Sequence, residues 1–315
     1  MNGYVNTLRA ELFKLRHKRR SYVMAGFLWL LLPALLLLIG WILDTRVAGT
    51  FAEEGFSVGE VVQAVASPVA IARNLLLIMG NLSPSLLIII VALTAALLIG
   101  EERSQNMWKT VLTVQPNRAA VLAGKITAAM LFLGVLLLGS VLFSVLFGAV
   151  GTLFLPTTFG TGWAELVSLY ALQWVFALAA TLFAFLMVWL LNSLPLGIVS
   201  IFFLPAVLEG GYAFYRAAVG FDRLNRFNAI LEALQIQNTV RNLPQYFFTT
   251  NLYAPSREPI AALTALFGVP LGEGDLGPLS NLLMVDLERA ALVMAVYALL
   301  FGVLLFWSFT RRDIA

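Results

Sequence analysis

The amino-acid sequence predicts an all-α membrane protein with six transmembrane helices. Of its 315 residues, 60% are hydrophobic and only 12% are charged, whereas soluble proteins carry roughly 25% charged residues. The charged residues also divide the sequence into long apolar runs that contain no charge. As helices rising about 1.5 Å per residue, runs of this length cross a hydrocarbon core of about 30 Å. Much of the protein surface is therefore expected to face lipid.

The first predicted element is an amphipathic helix over residues 1–20. Its leucines recur at helical spacing, while the basic side chains fall on other faces. Such a helix is expected to lie on the cytoplasmic face of the membrane. Only one histidine, His17, is present in the chain, and it lies in the basic run of this helix. Among so many cations it is expected to be a solvated side chain rather than a metal ligand. The residues that define the interfacial helix are Leu8, Leu12, Lys14 and Leu15.

Six apolar segments follow the amphipathic helix and are predicted to be the spans. The first is too long for a signal peptide and lacks a small-residue cleavage site, so we expect it to be retained. The fourth and fifth are separated by a tight turn that ends at Pro195. A large segment over residues 209–287 precedes the last span, and it is expected to pack on the outer membrane face or to dip into it. The spans are predicted at about 21–43, 74–100, 120–150, 165–191, 195–215 and 288–310.

The distribution of lysine and arginine predicts the orientation. Basic residues are concentrated in residues 1–20, in the 101–119 loop and in the 311–315 tail, and all four lysines fall in or next to the first two of these segments. An even number of spans places these three segments on the same side, which the positive-inside rule identifies as the cytoplasm. We therefore expect a multi-pass protein of the cell membrane with both termini in the cytoplasm.

Several kinds of chemistry are excluded by the residues that are missing. No cysteine is present, so disulfides, thiolate metal sites and cysteine nucleophiles cannot form. The only Gly-Lys pair, Gly124-Lys125, is followed by Ile126 and has Ala119 where a phosphate-binding loop needs glycine. Carboxylates suited to a proton relay are nearly absent from the spans, and Gln173 is expected to make a helix–helix contact. No catalytic residue and no metal ligand is therefore predicted.

The 101–119 loop is where the chain concentrates charge between two apolar spans. Glu101 and Glu102 stand at the end of a helix, where acidic side chains oppose the helix dipole. Trp108 and Leu112 fall on one face of a short predicted helix, and Pro116 ends that helix. The pattern predicts a short amphipathic helix that lies across the base of the membrane domain.

The order of residues in this loop resembles the first cytoplasmic loop of type-two ABC-transporter permeases. The resemblance lies in Glu101-Glu102-Arg103, in Met107-Trp108-Lys109 and the three residues after it, and in Pro116-Asn117-Arg118 followed by Lys125. The segment Ala10–Arg16 before the first span and the tail Phe309–Ile314 are similarly typical. Asn106 stands where glycine is common in the family, and Asn117 where serine is common.

The resemblance implies the permease subunit of an ATP-driven ABC exporter in the membrane of a prokaryotic cell. It implies three partners, which are a separate ATPase subunit that binds ATP and Mg, a second permease subunit that is either identical or related, and the lipid bilayer; no nucleic acid is expected. The loop would be a coupling helix docked on the ATPase, with Trp108 as its buried aromatic anchor. The residues expected to make this contact are Glu101, Glu102, Arg103, Met107, Trp108, Lys109, Leu112, Pro116 and Arg118.

Two alternatives from other classes are compatible with a multi-span chain. A non-transporting membrane anchor or assembly subunit would share the spans but would not need the coupling helix. An intramembrane protease of the CAAX type also pairs Glu-Glu with arginine. That enzyme needs three residues between them and histidines within its spans, whereas here Arg103 follows Glu102 directly and His17 lies before the first span.

Overall fold

The computed structural model of the chain is helical throughout the parts that it describes. These are residues 2–47, 58–81, 85–104, 107–191, 193–219, 242–256 and 286–311, and no β-strand occurs among them. Five of the helices have the length and the hydropathy needed to cross a membrane. The predicted all-α membrane fold is therefore confirmed, whereas the exact set of six spans is not.

The N-terminal region forms two helices joined at one extended residue. Helix α1 covers Asn2–His17, and α2 covers Arg19–Arg46 at the position of the first predicted span. Lys18 between them has φ −83° and ψ 128°, which interrupts the helical hydrogen bonding. Because of this break, α1 leaves the axis of α2 and packs against another helix of the bundle.

The second predicted span, 74–100, is not one continuous helix. Helices α3 (Val58–Ala66) and α4 (Pro68–Asn81) are bent by 61° at their junction. Helix α5 covers Leu86–Gly100 and begins at Ser85, whose side-chain oxygen accepts a 3.1 Å hydrogen bond from the backbone N–H of Ile88. The sequence just before Ser85 contains a proline, which lacks the N–H that a continuing helix needs. The span is thus divided between α4 and α5.

The other helices lie at the predicted positions of the coupling helix and of the third to sixth spans. Asn117 begins α7 by accepting a 3.0 Å hydrogen bond from the N–H of Ala120. Gly162 begins α8 with a φ of +93°, in the left-handed region that favours glycine. The helices are α6 (Trp108–Val114), α7 (Arg118–Gly151), α8 (Trp163–Leu190), α9 (Leu194–Val219) and α11 (Leu287–Arg311).

Helix α8 is the most buried of the long helices and packs against α5, α7, α9 and α11. Gln173, which is 2% exposed, donates hydrogen bonds from Nε2 to the carbonyl of Leu76 at 2.9 Å and to Oγ of Ser256 at 3.3 Å. The helix–helix contact predicted for Gln173 is therefore present. On the far side of α4, a Cβ on Gly148 would lie 2.4 Å from Cα of Pro68, so glycine is what lets α7 and α4 touch.

Part of the 209–287 segment packs among the helices. Residues Phe248–Leu252 form the short helix α10, and the ring of Phe248 lies 5.5 Å from that of Phe183 in α8. The carboxylate of Glu209 in α9 accepts a 2.9 Å hydrogen bond from the N–H of Thr249. Most residues of 248–256 are thus buried among the helices, whereas Leu243 and Tyr246 are exposed. The rest of the segment lies outside the described residues, apart from the end of α9, Asp286 and Leu287, the first residue of α11.

Candidate functional site

Helix α1 brings a carboxylate to the inside of the protein along with its leucines. Leu8, Glu11, Leu12 and Leu15 share one face because they recur at intervals of three and four residues. Glu11 is 5% exposed and Leu15 is 2% exposed, whereas Leu8 and Leu12 are half-buried. The predicted amphipathic helix is therefore present, but its inner face contains a buried charge as well as apolar side chains.

A glycine in α7 allows α1 to approach closely enough to bury that charge. A Cβ on Gly124 would lie 3.0 Å from Cβ of Thr7 and 3.3 Å from the backbone nitrogen of Leu8. A larger residue at this position would therefore push the two helices apart. Three residues further along α7, Oγ1 of Thr127 accepts a 3.0 Å hydrogen bond from the hydroxyl of Tyr4.

Lys125, next to this glycine, is at the centre of a buried set of ionised side chains. It is 0% exposed, and its ammonium nitrogen Nζ lies 2.8 Å from Oε2 of Glu102 and forms a second ion pair with Glu11. Nζ also donates a 2.9 Å hydrogen bond to the carbonyl oxygen of Leu98. Lys125 thus joins α7 to α1, to α5 and to the residues that directly follow α5.

Lys14 completes this set from the opposite side. Its ammonium pairs with Oε2 of Glu11 at 2.9 Å and also with the carboxylate of Glu102. We call Glu11, Lys14, Glu102 and Lys125 the charged cluster. Two carboxylates and two ammonium groups make it neutral, and each carboxylate contacts both ammonium groups. Such mutual pairing is what a buried group of charges requires, because an unpaired charge in a low-dielectric interior is very costly.

A second group of ion pairs lies nearer the surface. Glu101 pairs with Lys18 and with Nη1 of Arg20, the latter at 2.9 Å. Nζ of Lys18 also lies 3.4 Å from the carbonyl oxygen of Leu97, to which it donates. The carbonyls of Leu97 and Leu98 belong to a π-helical turn, Ala96–Gly100, in which the regular backbone pattern is interrupted. Lys125 of α7 and Lys18, which lies between α1 and α2, thus bind the backbone where α5 ends.

The pairing in the charged cluster shifts the pKa values of Glu102 and Lys14. Burial raises the pKa of the Glu102 carboxyl, but the neighbouring Lys125 and Lys14 outweigh burial and bring its pKa below the ordinary value of 4.5. Burial likewise lowers the pKa of Lys14, whereas Glu11 and Glu102 raise it more, so the net pKa lies above 10.5. Both groups therefore stay ionised across the neutral pH range.

The aromatic ring of Trp108 covers the charged cluster from the side of α6. Trp108 is 3% exposed, and Nζ of Lys125 lies 5.4 Å from its ring centroid, within the range of a cation–π contact. Its ring also meets Trp189 of α8 at 5.7 Å and Phe309 of α11 at 5.1 Å, both in edge-on geometry. Trp108 is therefore packed within the chain itself, and its ring is not free to enter a partner as an anchor.

The outer side of α6 and the residues that flank it are exposed. Met107 is 45% exposed, and Thr110, Thr113 and Pro116 are exposed as well. Leu112 is half-buried and packs against the core. Among the described side chains of this loop, the exposed set is therefore accessible to another protein, whereas Trp108 is not.

Three predicted site residues remain, namely Arg118, Arg103 and Lys109. Arg118 is half-buried, and its Nη1 donates a 3.2 Å hydrogen bond to the carbonyl of Thr310 near the end of α11. Arg103 lies in the turn Glu101–Ser104 and Lys109 lies in α6, but their side chains are outside the described part of the structure. The coupling role assigned to all these residues stays a prediction.

Sequence reasoning missed four members of this site, among them the two most buried charged residues, Lys125 and Glu11. Glu11, Lys18, Arg20 and Lys125 were not among the predicted site residues, although each forms an ion pair here. A signal was available for Lys125, because an ionisable residue inside a predicted span needs a partner. In the described part of the chain, no group of three or more acidic or histidine side chains is placed to hold a metal ion.

A comparison with protein families identifies one match. The family model described as "ABC-2 family transporter protein" matches residues 7–206, which is more than half of the chain. The matched range contains the larger part of α1, the charged cluster, α6 and the first half of α9. No curated protein and no solved structure matches the chain at a significant level.

Proposed function

The chain belongs to the ABC-2 family of transporter proteins, and from this premise we propose that it is the permease subunit of an ATP-driven exporter. A separate ATPase subunit would bind ATP and Mg and hydrolyse the nucleotide. The sequence supports this division of labour, because it lacks the glycine and the Ser or Thr that a phosphate-binding loop needs around Gly124-Lys125.

The observation that carries the proposal is the charged cluster. It joins the surface helix α1, the residues after α5 and the first turns of α7 through ion pairs in which Lys125, Glu11 and Glu102 are buried and Lys14 is partly exposed. Through Trp108, the same region contacts α8 and α11. A force applied to α6 or α1 would therefore reach α5 and three of the long helices, α7, α8 and α11. A subunit that turns ATP hydrolysis elsewhere into movement of its spans needs such a connection.

The surface offered to the ATPase would be the exposed side of the α6 region. Met107, Thr110, Thr113 and Pro116 form this surface, with Arg103 and Lys109 as further candidates from the sequence. Glu101, Glu102 and Arg118 would act indirectly, because the structure engages them within the chain. Trp108 would transmit the contact to the helices beneath it.

The orientation and the assembly are also part of the proposal. The basic N-terminal helix, the 101–119 loop and the C-terminal tail would face the cytoplasm of a prokaryotic cell, following the positive-inside rule. A second permease subunit, identical or closely related, would complete the pathway, as the resemblance to the family implies.

Co-purification tests the proposal directly. The affinity-tagged chain is isolated in mild detergent from membranes of its own host, and a nucleotide-binding subunit is expected to accompany it. The eluate should hydrolyse ATP, whereas the chain purified alone should not. A double variant, Met107→Asp with Thr110→Asp, is expected to reduce the partner at least tenfold at matched expression. Thr161→Asp, in the exposed turn before α8, is the matched control and should retain it.

Two outcomes would contradict the proposal. Hydrolysis by the isolated chain would show that the energy source is not a separate subunit. Normal recovery of the partner with the Met107→Asp, Thr110→Asp variant would show that the α6 surface is not the contact. If the parent chain recovered no nucleotide-binding partner at all, the non-transporting anchor would become the better assignment.

A further inference from the structure

A groove runs between α1, the start of α2 and the first half of α7. Its volume is about 480 Å³, which falls within the range of roughly 300–1,000 Å³ that is typical of small-ligand sites. The walls are almost entirely apolar and include Leu12 from α1, Ala25 and Trp29 from α2, and Phe132 and Val135 from α7. We call this cavity the α1–α7 groove.

Polar groups are confined to one end of the α1–α7 groove. Arg16 and Ser21 line it where α1 gives way to α2, and Tyr22 lies beside them. The Ser21 hydroxyl is buried, with the residue 6% exposed, and it has no hydrogen-bond partner among the described residues. Buried hydroxyl groups nearly always have a partner. An unpartnered one in the wall of a groove therefore points to a ligand that supplies an acceptor or a donor.

The charge around this end is positive and not neutralised by the chain. Lys14, Lys18 and Arg20 are occupied in ion pairs. Arg9, Arg16 and Arg19, by contrast, are exposed and form no ion pair within the part of the chain that the structure describes. Basic side chains next to a membrane span attract anionic lipid headgroups. Arg16 is the only one of these three arginines that lines the groove.

The depth of the groove matches the boundary between headgroups and acyl chains. Arg16 near the end of α1 and Ser21 in the first turn of α2 lie where the apolar span begins. Trp29, Phe132 and Val135 lie further along apolar helix. A ligand that fills the groove therefore needs a negatively charged head and a long apolar tail in that order. An amphiphile of that shape is a membrane phospholipid.

We propose that the α1–α7 groove binds an anionic phospholipid from the leaflet next to α1. Its phosphate accepts hydrogen bonds from the Arg16 guanidinium and the Ser21 hydroxyl, and one acyl chain lies against Trp29 and Phe132. Because α1 also supplies Glu11 and Lys14 to the charged cluster, the bound lipid would brace the cluster from its membrane side. The assignment depends on the membrane location of the chain and not on which ATPase it binds.

Lipid exchange measured on the whole purified chain tests this assignment. The protein is placed in nanodiscs of phosphatidylcholine with increasing phosphatidylglycerol, and retained lipid is counted by native mass spectrometry after transfer to detergent. Phosphatidylglycerol is expected to be retained at least fivefold over phosphatidylcholine. Arg16→Gln should remove most of this preference, whereas Arg9→Gln, an equally exposed arginine outside the groove, should change it less than twofold.

A second variant separates the groove from the general charge of the surface. Val135→Trp fills the groove and is expected to reduce retention of both lipids, and size-exclusion chromatography checks its folding. Ala25→Leu, a smaller increase in volume at the α2 wall of the groove, serves if Val135→Trp does not fold. Equal retention of the two lipids by the parent chain would overturn the assignment. Equal losses in Arg16→Gln and Arg9→Gln, or stabilisation of the chain by soluble glycerol phosphate alone, would overturn it as well.

Discussion

Replacing Lys125 by methionine tests the charged cluster most directly. Methionine keeps the unbranched shape of the side chain but removes its charge, so Glu11 and Glu102 would share the single ammonium of Lys14. Nζ of Lys125 is fully buried, contacts both carboxylates and donates to Leu98. Removing one partner of a buried ion pair typically costs about 3–5 kcal/mol of folding free energy. We expect a destabilisation in that range.

Thermal unfolding of the purified chain in mild detergent measures this cost. One kcal/mol moves the midpoint by about 2–4 °C in domains of 150–250 residues, so a drop on the order of 10 °C is expected. Lys18→Met is the matched control. The Lys18 side chain is 24% exposed, and Arg20 continues to neutralise Glu101 when Lys18 is lost. The control should therefore lose no more than about 1 kcal/mol.

A double variant distinguishes unpaired charge from lost packing. In Lys125→Met with Glu11→Gln, the remaining Glu102 and Lys14 are again balanced, so the double variant is expected to recover at least half of the lost midpoint. Two independent losses would instead add. The reasoning is refuted if Lys125→Met unfolds within 2 °C of the parent, or if Glu11→Gln lowers the midpoint of the Lys125→Met variant further.

Three further predictions follow from the same region. The free energy of unfolding should be constant across neutral pH. The stabilisation from Glu102 is complete above pH 4.5 and is lost as the pH falls through its lowered pKa. The stabilisation from Lys14 is complete below pH 10.5 and is lost as the pH rises through its raised pKa. In thermal unfolding measured at a series of pH values, the midpoint of the Glu102→Gln variant should fall less at acidic pH than that of the parent. An equal fall in both would contradict this. Trp108→Ala should cost about 3–5 kcal/mol of folding stability, because the ring is buried, whereas the exposed Met107→Ala should cost almost none; equal midpoints would refute it. Because the chain has no cysteine, single cysteines can report its orientation. An impermeant thiol reagent applied to intact cells should label Thr161→Cys but not Thr113→Cys. The reverse pattern would invert the proposed orientation.

Much of the helical layout could be predicted from the sequence because apolar length and charge placement determine it locally. The first predicted span ends within three residues of α2, and the last lies within one residue of each end of α11. The division of 74–100 into α4 and α5 could not be predicted from charge alone, since the whole interval is charge-free. Its signal was Pro84 followed by Ser85, a helix-breaking residue beside a good N-cap.

The charged cluster was harder to predict because its members are far apart in sequence. Glu11, Glu102 and Lys125 come from three helices, and a periodic pattern within one helix carries no information about partners on another. Trp108 shows the same limitation. Its place on an amphipathic helix predicted an apolar contact, but whether that contact is with a partner or with Trp189 and Phe309 depends on packing.

The position of Trp108 changes how a signal would pass through this region. A ring inserted into a partner would tether the two proteins while leaving the spans free to move. Here the ring lies against Trp189 of α8 and Phe309 of α11, and beside the ammonium of Lys125. It cannot shift without moving those side chains, because close-packed interiors do not deform smoothly. A partner that displaces the exposed side of α6 must therefore repack this aromatic group or disturb the charged cluster. Either response moves several helices together, which is what the proposed coupling to a separate ATPase subunit would require.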